Sequence, residues 1–203
     1  IAFIFVTARN EPEVMIKAIQ LEISNYILKP IDFTNFLPII NTWTGPEKQI
    51  RDFQSGSWAV EVKTTHGNNH QKVQISSERQ LDTTNLEDLF LYHISLEQQQ
   101  NSGETLNDIV DSVIVILRDE IIALNKFKSK IYEVGYFDLQ RDLYETIGYH
   151  IRQDEFYKVE KDFPRIEEND LRIGVGDVKY SIILSQCAPF SISESKVFDI
   201  IMP

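Results

Sequence analysis

Apolar and polar positions along the chain follow two periods, and the changes of period mark the elements. IAFIFVTA is an unbroken apolar run of strand length. ARNEPEVMIKAIQLEIS switches to helical spacing, with Val14, Ile16, Ala18, Ile19 and Leu21 in a broad apolar stripe. Asn10 is placed to cap that helix and Pro12 falls in its first turn. NYILKP reads as a second strand closed by Pro30, and DFTNFLPII opens another helix that Pro38 ends or bends. TWTGPEKQ, residues 42–49, is rich in turn formers and marks a junction.

From residue 50 to 96 the period shortens to two. SWAVEVKTT and KVQIS read as strands of a hairpin around the turn HGNNH. A short polar helical segment, SERQL, and a third strand, LFLYHISL, follow, then a polar loop, EQQQNSGE. Helical spacing returns from Thr105 to Tyr136, carried by Leu106, Ile109, Val110, Val113, Leu117, Ile121 and Leu124, with a break near Arg118–Asp119. YHIRQDEFYKVEKDFPRI and VGDVKYSIILSQC read as strands separated by an acidic loop ending in NDLRIGVG. The sequence has no internal repeat, and the order of elements predicts an α+β fold.

Composition narrows this picture in three ways. With 203 residues, 42% hydrophobic and 25% charged, the chain suits one good-sized domain or two small ones. A single cysteine, Cys187, excludes an internal disulfide framework and a cysteine-cluster zinc site, so the cytoplasm is the expected location. No apolar run reaches 18 residues, so no membrane partner is expected. The net charge of −11, most of it in residues 101–203, argues against strong non-specific DNA binding. It leaves a nuclease open, because carboxylate sites that hold metal ions raise the acidic count.

The chemistry centres on AVEVKT. Strand alternation puts Glu61 and Lys63 on one face, with Trp58, Val60 and Val62 on the other. Asp52 lies across a QSGS turn and can reach the same place from a neighbouring strand. Asp52, Glu61 and the Val62 carbonyl offer hard oxygen ligands for Mg²⁺ or Mn²⁺. Such an ion lowers the pKa of bound water and neutralises charge on a phosphate, while Lys63 orients the water or stabilises the transition state. The competing reading makes Glu61 and Lys63 a cross-strand ion pair on an exposed face. Spacing alone does not decide, since Glu-x-Lys recurs at Glu194–Lys196. His66 and His70 read as solvated loop histidines, His93 and His150 as packed or hydrogen-bonded strand residues, and Cys187, Phe53 and Trp58 as core. Glu167, Glu168 and Asp170 read as a solvated acidic loop.

WTGPEKQIRDFQSGSWAVEVKTT, VQISSERQLD, LFLYHISLE, DFPRI and GVGDVKYSIILSQCAPF together resemble the bacterial PD-(D/E)XK motif proteins, from about Asn41 to Ile192. This restriction-endonuclease-like family is often found beside restriction or phage-defence genes. The resemblance implies a mixed β-sheet with flanking helices and Mg²⁺-dependent hydrolysis of DNA. It assigns metal binding to Asp52 and Glu61 and catalysis to Lys63. Gln80, from the ISSERQL block, becomes a candidate further active-site contact. DNA and defence-operon proteins are the implied partners. Family members open with a helix carrying a Gly-Glu pair, whose Glu commonly completes the metal site, and none precedes Trp43 here. The second expectation is therefore an inactive nuclease-fold module that binds DNA or a partner protein.

FVTARNEPEVMIKAIQLEISNYILKPI resembles the second half of a response-regulator receiver domain, with Thr7, Tyr26 and Lys29-Pro30 at that family's signature positions. The phosphate-accepting Asp of a receiver lies upstream of this stretch, so Thr7 and Lys29 do not support phosphotransfer by themselves. The expected organisation is a truncated receiver-like βαβα segment over residues 1–40 and a nuclease-like domain over 41–203. Three readings stay open for the segment: an excised fragment, a recombined gene, or a mimic. In the last, helix 11–22 replaces the missing family helix and offers Glu13 or Glu22.

Overall fold

A tight turn organises the sheet. In the computed structural model, which describes residues 37–66 and 71–201, Gly56 sits at φ 54° in the two-residue loop between Ser55 and Trp58. A positive φ is what such hairpin loops demand, and glycine adopts it without a steric cost. Thr7, Glu13, Glu22, Tyr26, Lys29 and Pro30 lie outside the described residues, as does His70.

The strands are β1 (Phe53–Ser55), β2 (Trp58–His66), β3 (Lys72–Ile75), β4 (Asp88–Gln100), β5 (Glu104–Thr105), β6 (Ile147–Lys158), β7 (Tyr180–Ile183) and β8 (Ser191–Ile192). The α-helices are α1 (Leu37–Thr42), α2 (Leu106–Leu117), α3 (Ile121–Glu133), α4 (Arg141–Tyr144) and α5 (Glu194–Ile201). Two compact units form: residues 37–49 with Gln98–His150, and Ile50–Glu97 with residues 151–201.

In the first unit the predicted helix break is real, since α2 ends at Leu117 and α3 starts at Ile121. A capping box starts α2: the Thr105 hydroxyl accepts from the Asp108 amide, and the Asp108 carboxylate accepts from the Thr105 amide at 2.8 Å. Leu106, Ile109, Val110, Val113 and Leu117 bury its apolar stripe. On α3, Lys130 is buried, donating to the Trp43 carbonyl and, at 2.8 Å, to Glu47. Pro38 does not end its helix, because α1 runs past it to Thr42.

The second unit carries the mixed sheet, in the order β1-β2-β4-β6, with β8 also on β6. β1 and β2 are antiparallel, whereas β2 and β4 run parallel from Trp58↔Asp88 to His66↔Leu96. Parallel strands are buried on both faces. β2 follows that rule, with Ala59, Val60, Glu61, Val62 and Lys63 all buried. This rules out the exposed-face reading of Glu61 and Lys63.

The predicted hairpin of SWAVEVKTT with KVQIS does not form either. β4 takes one edge of β2 along its whole length and β1 takes the other at Trp58–Val60, while β3 pairs antiparallel with β7. That pairing turns Val73, Ile75 and Ile182 into a core with Ala59, Leu81, Leu89, Leu91, Tyr157 and Cys187. EQQQ is likewise strand rather than loop, because β4 continues to Gln100. Cys187 and Phe53 are core as expected, whereas Trp58 is half-buried. Among the described residues no helix is long and apolar enough to cross a membrane.

Leu91 is fully buried in this cluster and lies beside Glu61 in the parallel register. Leu91→Ala should lower stability by about 2–5 kcal/mol through lost transfer energy and the cavity left behind. The midpoint of urea unfolding checks it; an unchanged midpoint would contradict the core assignment.

Candidate active site

The site grows out of one face of the β2–β4 pair. Alternation and register put Ala59, Glu61, Lys63 and Thr65 beside Leu89, Leu91, His93 and Ser95. Ala59, Leu89 and Leu91 join the apolar core, and the remainder make a buried polar lane. The face therefore changes from apolar to polar between Ala59 and Glu61.

Glu61 is 1% exposed and Lys63 7% exposed. The Lys63 Nζ donates to Glu61 Oε1 at 2.6 Å and to Gln80 Oε1 at 3.1 Å. Gln80 Oε1 also accepts from the Ser76 amide at 2.9 Å, which fixes its orientation. Gln80 comes from a 3₁₀ turn, Glu78–Leu81, capped by the Ser77 side chain and matching the predicted polar helical segment. Asp52 arrives from the start of the β1–β2 hairpin, and carrying the register one residue beyond Phe53↔Val60 sets it opposite Glu61. Its Oδ2 accepts from the Val62 amide at 2.9 Å. Val62 thus meets Asp52 through its N–H.

Burial dominates the electrostatics. Desolvation pushes the Glu61 carboxyl up to about 8, aided by the charge of Asp52 and opposed by Lys63 and Arg51. Desolvation also raises Asp52, to about 6, against the pull of Lys63 and the Val62 hydrogen bond. Glu61 Oε2 is buried with no hydrogen-bond partner. A buried carboxylate oxygen left without a donor fits a hard cation, which prefers such oxygens. Among the described residues no third His, Cys, Asp or Glu joins Asp52 and Glu61 as a metal-holding group.

Three neighbours, Arg51, Thr65 and His93, are not marked as site residues by the spacing of the sequence. Arg51 is buried against the Gln80 turn, with Nε 3.3 Å from the Gln80 carbonyl. His93 and Thr65 lie in the polar lane, their Nε2 and Oγ1 atoms 2.9 Å apart. Their closeness depends on the parallel pairing of β2 with β4, which no local pattern announces. His150 is exposed, with Nε2 3.3 Å from Ser102 Oγ, and His66 is exposed at the end of β2. Glu168 and Asp170 are exposed, as expected for the acidic loop, although Glu168 pairs with Arg79 at 2.6 Å.

An Asp entering a hairpin and a Glu-x-Lys on the following strand, in a mixed sheet with flanking helices, define the PD-(D/E)XK nuclease-like class. More particularly, the chain belongs to the family described as "Putative PD-(D/E)XK family member (DUF4420)", whose model matches residues 28–185. The match contains Asp52, Glu61, Lys63 and Gln80, and it starts before Asn41 and ends before Ile192. No curated protein and no solved structure matches the chain.

Raised carboxyl pKa values have a definite sign in stability. Between the ordinary Glu value of 4.5 and about 8, folded Glu61 holds a proton that the unfolded chain has released. Stability in metal-free buffer should therefore fall as pH rises through that window and level off above it, with Asp52 contributing between 3.8 and about 6. The expected loss is a few kcal/mol, on the order of 1.4 kcal/mol per pKa unit. Urea unfolding from pH 4.5 to 8.5 checks it: Glu61→Gln should flatten the upper part of the slope, and an equally steep slope in that variant would contradict the assignment.

Proposed function

We propose that this protein hydrolyses phosphodiester bonds in DNA with Mg²⁺ or Mn²⁺ held by Asp52 and Glu61. The observation that carries the reading is the buried Lys63, which bridges Glu61 Oε1 and Gln80 Oε1 while Glu61 Oε2 has no partner. The Val62 carbonyl would be the third protein oxygen to hold the ion. The ion supplies a water of lowered pKa and charge neutralisation at the phosphate. Lys63 donates to the attacking water or to a phosphate oxygen, and Gln80 holds the ammonium in place. A restriction or phage-defence role in the cytoplasm, beside defence-operon proteins, extends this reading and rests on the family resemblance.

A second reading has its own support. Among the described residues no group of three or more His, Cys, Asp or Glu side chains is placed to hold a metal ion, which suits an inactive nuclease-fold module that binds DNA or a partner protein. Supercoiled plasmid incubated with Mg²⁺ separates the two. Wild type should nick or linearise it, chelation should abolish cleavage, and Lys63→Ala should lower the rate by about 100-fold or more. Equal cleavage by wild type and Lys63→Ala would overturn the mechanism. Retention of DNA in a gel shift without cleavage by wild type would favour the binding module.

A further inference from the structure

We infer that Arg51 is a positioning residue that acts on Lys63 through Gln80. Arg51 is 8% exposed, and its guanidinium donates to main-chain oxygens. Nε donates to the Gln80 carbonyl at 3.3 Å, and Nη2 donates to the Arg79 carbonyl at 3.1 Å and to the Asp82 carbonyl. These oxygens belong to the last part of the Glu78–Leu81 turn and its cap. A planar fork of donors can take several carbonyls at once, and the Arg79 carbonyl is shared with the Asp82 amide that caps the turn.

The contacts close a circuit. Asp52 ties the chain to β2 through the Val62 amide, and Lys63 follows Val62 on that strand. Lys63 reaches across to Gln80 Oε1. Arg51, the residue before Asp52, holds the main chain from which Gln80 projects. The Arg51-Asp52 pair is thus a bracket with one arm on the strand of Glu61 and Lys63 and the other on the turn of Gln80. The Arg51 hydrogen bond to Gln80 goes to its main-chain carbonyl, so removing the Gln80 side chain leaves that bond in place. This separation makes the coupling measurable.

The catalytic consequence rests on the nuclease reading, but the positioning does not. Two readouts on wild type, Arg51→Ala, Arg51→Lys, Gln80→Ala and the Arg51→Ala/Gln80→Ala double variant distinguish them. The first is the rate at which an N-hydroxysuccinimide acetate ester acetylates Lys63 in metal-free, DNA-free buffer, followed by peptide mass spectrometry. Arg51→Ala and Gln80→Ala should each speed it several-fold, and the double variant should be no faster than the faster single one. Arg51→Lys should behave like Arg51→Ala, because one ammonium keeps the charge but loses the fork. The second readout is Mg²⁺-dependent plasmid cleavage, in which each single variant should lose about tenfold in kcat with KM nearly unchanged, and the double variant no more than Gln80→Ala.

Wild-type acetylation in Arg51→Ala, multiplied effects in the double variant, or full rescue by Arg51→Lys would each overturn the proposal. Wild type that fails to cleave sinks the nuclease reading alone, and the acetylation cycle still decides the role of Arg51. If circular dichroism finds Arg51→Ala unfolded, the cycle runs with Arg51→Lys, whose predicted outcome is the same.

Discussion

The contact of Lys63 with Glu61, 2.6 Å long and almost wholly out of water, is the constraint to which its surroundings respond. A buried charge costs several kcal/mol of lost hydration, and in the metal-free protein that cost shows as a Glu61 carboxyl that keeps its proton up to a pH of about 8. The structure supplies partial compensation: Gln80 accepts from Lys63, and Arg51 and Lys63 oppose the rise in the Glu61 pKa. Compensation stops short at Glu61 Oε2. That oxygen is the one to which the proposed cation would bind.

Strand geometry explains how a short stretch delivers these groups. The parallel pairing of β2 with β4 buries both faces of β2, so alternation sorts two kinds of interior instead of separating inside from outside. One face carries Val60 and Val62. The other carries Ala59 into the apolar core, then Glu61, Lys63 and Thr65 into the polar lane. The hairpin loop at Gly56 folds Asp52 back to the same level, so that three chemically distinct groups converge from a segment of twelve residues. Gln80 comes from elsewhere, and the buried guanidinium of Arg51 secures its turn.

Local signals were readable where local physics decides. The onset of helical spacing at Thr105, the helix break near Arg118–Asp119, the QSGS turn and the polar turn at SERQL all follow from residues within a few positions of one another. The convergence of Asp52, Glu61, Lys63 and Gln80 was legible from motif blocks. Partnership between distant strands was not, since the period of KVQI says that it is a strand but not that its partner begins at Tyr180. The glutamines of β4 read as loop because their polarity hides their pairing. Arg51 could not be singled out because its hydrogen bonds to the Gln80 turn go to main-chain oxygens, which every residue carries. The receiver-like reading of residues 1–40 falls almost wholly outside the described residues.

Everything proposed for catalysis requires that Asp52 and Glu61 hold one ion together. Calorimetric titration of Mn²⁺ into the metal-free protein tests this most directly, without DNA and without turnover. Wild type should bind Mn²⁺ in a saturable step, and Asp52→Asn and Glu61→Gln should each weaken binding by at least about tenfold. Absence of binding by wild type, or unchanged affinity in both variants, would contradict the site.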